Sequence, residues 1–413
     1  EQGSTSIEDR MHKEYTDYYN YNGTYYGLPF FATPGCGIYD ADCFDENELY
    51  FFADGSIGAT QSDIDNYETS GIGKGPDGVL GTYDDGMPET WEQFTLLMNT
   101  MAQSGIIPFI WDGLNNYQRS YFYGSVWANY EGGNNYTLNY TLKGTDTNLG
   151  EVTEKNGAKL ANQEGRLAAF KAVETIMSNP KFYHPDALKS LTTHTNAQMY
   201  YLQSVNTNSR IAMFMEGSWW ENEARDVFTD MAKINSDWGY GKRNLKILPI
   251  PNFKGTVLAT AAETGGEAIV SHQSDNKQVL VMNDADGSMI CVSEQAPNKE
   301  LAFEFIKFMH SREMLVLMTQ QSSCIRPFDY SFTDAELDAC TPFTKSIITM
   351  MNDKNTEICW CIEPRDSIIR AKQNSFNKWT SIEAFTAFYP QNNSQTNAYA
   401  QWLAWKSSVA WPI

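Results

Sequence analysis

Short apolar runs standing between amphipathic stretches constrain this chain more than any other feature. Ile106-Ile107-Pro108-Phe109-Ile110-Trp111, Arg210-Ile211-Ala212-Met213-Phe214-Met215, Lys246-Ile247-Leu248-Pro249-Ile250-Pro251 and Ser288-Met289-Ile290-Cys291-Val292 are too short for typical helices and too apolar for surface loops. Each predicts a strand, buried at 106–111 and 210–215. Elsewhere apolar residues recur at helical spacing. Thr90 can cap a helix, with Gln93 three residues on as in a capping box. Phe94, Leu97, Met98 and Met101 form its stripe, and Gly105 ends it. Leu167, Phe170, Val173, Ile176 and Met177 predict a second helix over residues 163–178, and a third is expected over 298–310. Alternating strands and helices indicate an α/β protein, and 413 residues are enough for two or more lobes.

Composition narrows the partners. Lys and Arg number 30 against 51 Asp and Glu, a net charge of −21, so no basic footprint for nucleic acid or an anionic membrane is expected. No apolar run reaches the length of a membrane span. An apolar fraction of 42% argues against disorder. Partners are expected to be neutral or cationic small molecules, or a protein. The seven cysteines (Cys36, Cys43, Cys291, Cys324, Cys340, Cys359 and Cys361) include one close pair, Cys359-Trp360-Cys361. They are read as plain thiols, with one or two disulfides left open, and they do not fix the compartment.

Residues 53–89, rich in Gly, Asp, Ser and Thr, and residues 129–165, rich in Asn, Gly and Thr with Tyr130, Tyr136 and Tyr140 interspersed, read as two long loops. Gly73, Gly75 and Gly78 satisfy GxGxxG by count, but their flanks are polar and Pro76 interrupts them, so no dinucleotide site is expected. The same segment carries Asp77, Asp84 and Asp85 on Gly-rich turns. The reading is a solvated acidic loop, with a structural calcium on these three as the open alternative. No other cofactor is required. None of the five histidines falls in HExxH or HxH, and neither a GxSxG elbow nor a P-loop appears. A pair of carboxylates for glycoside hydrolysis has no local signature and stays open.

Aromatic residues carry more information, with 11 Trp, 23 Tyr and 22 Phe. A sugar offers an apolar C–H face and a rim of hydroxyls, so its site wants flat aromatic walls beside acids and amides. Two segments have that make-up just past predicted strands: Trp111-Asp112-Gly113-Leu114-Asn115-Asn116-Tyr117 and Glu216-Gly217-Ser218-Trp219-Trp220. Ligands collect at the carboxyl ends of strands in α/β proteins, which suits a cleft at both places. Of Trp219 and Trp220, one is expected to stack on ligand and the other to pack inside. Asp112 reads equally as a ligand contact or a solvated loop acid.

Several segments, in order, make the chain resemble the extracellular solute-binding proteins of ATP-binding cassette importers, in the sugar-binding family 1 group. They are Asn22-Gly23-Thr24-Tyr25-Tyr26-Gly27-Leu28-Pro29, Gly37-Ile38-Tyr39-Asp40, Pro88-Glu89-Thr90-Trp91, Gly105 to Pro108, Ala212-Met213 to Gly217-Ser218-Trp219, and Asn298-Lys299-Glu300-Leu301-Ala302. The resemblance implies a periplasmic-binding-protein-like II fold, two α/β lobes with a ligand cleft between them. It also implies opening βα units that the sequence lacks, so an N-terminally truncated first lobe is expected. By position, residues 1–32 are a remnant of the first lobe and 33–283 the second lobe, with 53–89 inserted. Residues 284–328 resume the first lobe, and 329–413 form a helical segment on the second. The resemblance places Thr33 at a polar sugar contact, Tyr117 at an aromatic one, Trp219 as the stacking Trp, and Trp360 on the cleft rim.

The expected function is capture of a mono- or oligosaccharide outside the cell and delivery to a membrane permease by hinge closure, without catalysis. Ligand contacts are expected from Thr33, Trp111, Asp112, Asn115, Tyr117, Glu216, Trp219, Trp220 and Trp360. The protein is expected to be an exported monomer, periplasmic or a surface lipoprotein. A glycoside hydrolase and a surface lectin without a transporter are the rivals.

Overall fold

The computed structural model describes residues 5–114, 117–146, 148–153, 155–253, 256, 277–283 and 288–362. Among the described residues six strands make the main sheet: β1 (Thr33–Asp40), β2 (Ile107–Ile110), β3 (Ile211–Gly217), β4 (Leu245–Ile247), β5 (Gln278–Asn283) and β6 (Thr356–Trp360). Their order is β6-β5-β1-β3-β2, with β4 also on β1. β1 runs antiparallel to β3, β4 and β5, while β2 is parallel to β3 and β6 is parallel to β5. Every residue of β1 is buried. At Gly37 an added Cβ would stand 2.7 Å from the Leu248 side chain, which would have to shift to admit it.

Helices cover both faces of the sheet, which is why its strands read as continuous apolar runs. α1 (Trp91–Gln103) starts at the expected capping box, in which Thr90 Oγ1 accepts from the Gln93 N–H and Gln93 Oε1 accepts from the Thr90 N–H, both at 3.3 Å. α2 (Tyr117–Glu131) crosses β1, β3 and β5 and packs on α4 (Glu164–Ser178), with α3 (Gly133–Thr141) between them in sequence. α5 (Pro342–Asn352) packs on β4 and β6. Alternation along β6 separates the two layers: Cys359 meets Thr137 of α3, while Ile358 lies with Ile348 and Met351 of α5.

A smaller unit pairs Leu28–Pro29 with Met289–Ile290 and is tied to the chain at 325–328 by the bridges Ala32↔Ile325 and Met11↔Phe328. The expected helix follows at Lys299–Met309, capped by Asn298. The expected strand over 246–251 closes early, at Ile247. Pro249 and Pro251 have no N–H to give to a ladder.

Both expected long loops need correction. Residues 53–89 hold the strand Ile57–Ala59, which pairs with Tyr50–Phe51 just before them, and two short helices, Gln61–Asp65 and Tyr67–Ser70. Most of residues 129–141 is helix, followed by the hairpin of Gly144–Asp146 with Gly150–Val152. Asn, Gly and Thr are poor helix formers, but burial of Tyr136 and Leu138 supplies what propensity does not. Thr137 returns its hydroxyl to the Gly133 carbonyl, and Asn135 its amide to the Glu131 carbonyl, so the polar side chains are satisfied within the helix.

Candidate functional site

Strand ends gather along one side of the main sheet. β2 and β3 finish there side by side, with Phe214 opposite Ile110. β1 begins there, since Gly217 lies opposite Gly35 and Asn283 opposite Thr33. β6 ends there too, with Trp360 opposite Met282. Segments distant in sequence therefore place Thr33, Trp111, Asp112, Glu216, Ser218, Trp219 and Trp360 along one line.

The side chains on that line divide sharply. Trp219 is partly exposed and turns back over Gly217, where an added Cβ would lie 2.2 Å from its ring. Tyr121 of α2 meets the same indole edge-on, at 6.1 Å between ring centres. The Ser218 N–H donates to the Pro34 carbonyl at 3.1 Å, which sets Ser218 beside the start of β1. The hydroxyls of Ser218 and Thr33 are buried, and neither has a hydrogen-bond partner among the described residues. An unmatched buried hydroxyl costs free energy, so two at one place are a feature to be accounted for.

Glu216 is also buried and spends Oε1 on the N–H of Gly217 at 2.9 Å. Burial, reinforced by the charges of Glu223 and Asp112, pushes its carboxyl up to about 8. At neutral pH it is mostly protonated and can donate as well as accept. Nearby, Gln198 donates to Glu223 at 2.6 Å, and His194 stands 3.4 Å from the same carboxylate.

The remaining expected contacts sit differently. Trp111 is fully enclosed, with its ring 5.3 Å from Tyr183. Asp112 is neither solvated nor open: it is buried and accepts from the Leu114 N–H at 2.6 Å, shaping the turn after β2. Trp220 is the inward partner of Trp219, packed among Tyr201, Phe214, Phe228 and Phe343. Trp360 faces His12 at 4.8 Å and Tyr15 at 5.4 Å, and only 7% of it is exposed, so in this arrangement its ring is packing rather than rim. Tyr117 begins α2, and Asn115 lies outside the described residues. Sequence reasoning missed Tyr121 and Ser218. Tyr121 was accessible from the helical rule, being one turn beyond Tyr117. A cavity of about 440 Å³ lined by His12, Arg326, Phe328, Asp329, Met351 and Ile358 lies on the α5 side of β6, apart from Trp219.

Three aspartates of the acidic segment are not solvated. Asp77, Asp84 and Asp85 are buried and committed to their own turns. Asp84 accepts from the Asp77 N–H at 2.9 Å and the Thr82 hydroxyl at 2.8 Å. Asp77 accepts from the Val79 N–H and Asp85 from the Gly81 N–H, both at 2.7 Å. Burial, with Asp77 adding its charge, raises Asp84 to about 8, which favours its neutral form. Among the described residues no three His, Cys, Asp or Glu side chains are grouped to hold a metal ion. Gly75 belongs to the same design: its φ is +67°, and an added Cβ would stand 2.1 Å from the Asp84 carbonyl oxygen.

The profile of the bacterial extracellular solute-binding protein family matches residues 5–337. The chain belongs to that family. No curated protein sequence matches it. Solved structures share the fold of this solute-binding protein. A chitin-oligosaccharide-binding protein is 14% identical with a TM-score of 0.54, covering 97% of this chain and 75% of its own. RafE in complex with raffinose is 12% identical with a TM-score of 0.52, covering 98% and 78%. Maltose-bound MalE3 of T. maritima is 12% identical with a TM-score of 0.52, covering 97% and 77%. The periplasmic-binding-protein-like fold expected from the sequence is therefore that of this solute-binding protein. No helix among the described residues is long and apolar enough to cross a membrane.

Proposed function

We propose that this solute-binding protein captures a carbohydrate at the line of strand ends and hands it to the permease of an ATP-binding cassette importer. One observation carries the reading: the partly exposed Trp219 ring stands over Gly217 beside two buried hydroxyls, Thr33 and Ser218, that lack partners among the described residues. An indole face takes the C–H face of a pyranose, and the hydroxyls take its rim. Glu216, held protonated, adds a neutral donor at the same place. Sugars bound by the structural neighbours agree in class.

Residues 1–32 and 284–328 would form one lobe, and 33–283 with the C-terminal segment the other. The pairing of Leu28–Pro29 with Met289–Ile290 and the bridge Ala32↔Ile325 support that division. Sugar binding both lobes stabilises the closed state, and surface attachment as a lipoprotein would keep it beside the permease.

The test is a thermal-shift screen against mono- and oligosaccharides with product analysis. A ligand at a hundredfold excess over its dissociation constant adds about 2.7 kcal/mol to the folded state. A shift with one sugar class, unchanged sugar afterwards, and loss of the shift in Trp219→Ala supports capture. Sugar consumed during incubation overturns it in favour of hydrolysis, and no shift with any sugar overturns the ligand class.

A further inference from the structure

We propose that Glu221, Thr341, Thr344 and Ser323 are positioning residues for the sugar site: together they form a buried hydroxyl chain that fixes the segment carrying Trp219 against the segment carrying Thr33. The proposal rests on the reading of Trp219 and Thr33 as sugar contacts. Thr341 Oγ1 stands 2.5 Å from Glu221 Oε2 and 3.0 Å from Thr344 Oγ1, and Thr344 Oγ1 stands 2.6 Å from Ser323 Oγ. All four side chains are buried. Each hydroxyl has a single proton, so the three bonds form together only when all run the same way along the chain. Removing one hydroxyl therefore breaks the set rather than one link of it.

The two ends of the chain lead to the two sides of the site. Glu221 comes two residues after Trp219, on the short helix Trp220–Glu223. Ser323 comes two residues before Ile325, whose N–H donates to the Ala32 carbonyl at 3.0 Å and whose carbonyl accepts from the Ala32 N–H at 2.8 Å. Ala32 leads directly into Thr33. A second tie runs alongside, where Arg225 donates to the Gln321 carbonyl at 3.2 Å. The middle of the chain is held by α5, because Thr341 is its N-cap and accepts from the Thr344 N–H at 3.2 Å. Ser323 itself supports the reading. It follows the helix Arg312–Ser322 with a φ of +56°, in the left-handed region that favours glycine. Backbone geometry alone would be better served by glycine, whereas the bond to Thr344 needs the serine hydroxyl.

The experiment compares the full wild-type chain with Ser323→Gly, Thr344→Val and Thr344→Ser. Amide hydrogen exchange is read without ligand, and affinity by calorimetric titration with the sugar found in the thermal screen. Ser323→Gly removes the hydroxyl while relaxing the backbone, so its melting temperature should be nearly unchanged. Faster exchange at Ala32 and Ile325 and an affinity lower by at least about threefold are expected nonetheless. Thr344→Val should behave alike, and Thr344→Ser, which keeps the hydroxyl, should exchange and bind as the wild type does. Wild-type exchange at Ala32 and Ile325, or wild-type affinity, in Ser323→Gly overturns the proposal, whether or not Thr344→Val folds. Faster exchange in a protein that takes no sugar confirms the link between the two segments and overturns the capture reading alone.

Discussion

Trp219 and Gly217 work as a single device at the scale of residues. The indole folds back over the strand that carries it because residue 217 has no side chain to stop it. Trp219→Ala is expected to weaken the best sugar at least tenfold, about 1.4 kcal/mol, while leaving the unliganded melting temperature nearly unchanged because the ring is partly exposed. Gly217→Ala is expected to lose a similar factor with Trp219 still present, since the new methyl displaces the ring. Calorimetric titration reads both. Glu216, Glu221 and Asp84 share a second property: burial raises their carboxyls to about 8, 7 and 8. The folded state keeps protons that the unfolded chain has released above the ordinary carboxylate range. Their contribution is fully present below about pH 4 and is lost as pH rises toward 8, at up to about 1.4 kcal/mol per pH unit for each group. Melting temperatures between pH 4.5 and 8 should fall, and Glu216→Gln should make that fall shallower. An unaltered slope in Glu216→Gln would show that Glu216 ionises normally.

Elements are joined by polar clasps as well as by the apolar core. Asp40, at the end of β1, receives Arg210 from the start of β3 at 2.8 Å and Arg243, which precedes β4. Asp40 also accepts from the Cys43 N–H at 3.2 Å and so caps the helix Ala41–Glu46. One fully buried carboxylate therefore ties three neighbouring strands and a helix start. Asp40→Asn takes the counter-charge from the buried Arg243 and leaves Arg210 with Glu46 alone, and about 3–5 kcal/mol of stability should be lost in chemical denaturation. The capping box of α1 is a weaker fastening. Thr90→Ala should cost about 1 kcal/mol in the same measurement, because only one N–H loses its acceptor and water can reach part of it.

Over the whole molecule, the pairing of Leu28–Pro29 with Met289–Ile290 is followed by the bridge Ala32↔Ile325, from which the chain leads straight into Thr33 of the main sheet. A sugar touching both sides would favour the closed arrangement by its difference in affinity for the two states. Small-angle X-ray scattering should then show a smaller radius of gyration with the sugar found in the thermal screen than without it. An unchanged radius with the site saturated would favour a fixed binding surface such as a lectin's.

What the sequence by itself determined was local. Thr90 and Gln93 announced a helix start because a capping box is made within four residues, and the apolar runs at 106–111 and 210–215 announced strands because burial on both faces leaves no alternation. The helix α3 was illegible, since Asn, Gly and Thr there are helical only through what Tyr136 and Leu138 bury against. The acidic turns were illegible for a like reason: composition counts charges, whereas burial and backbone donors decide whether Asp77, Asp84 and Asp85 face water. The site shows the same division. Trp111 and Trp219 each follow a strand beside polar residues, and no local signal distinguishes them. Tertiary packing enclosed one against Tyr183 and left the other over a bare glycine, because which side of a strand end is covered depends on elements far away in the chain.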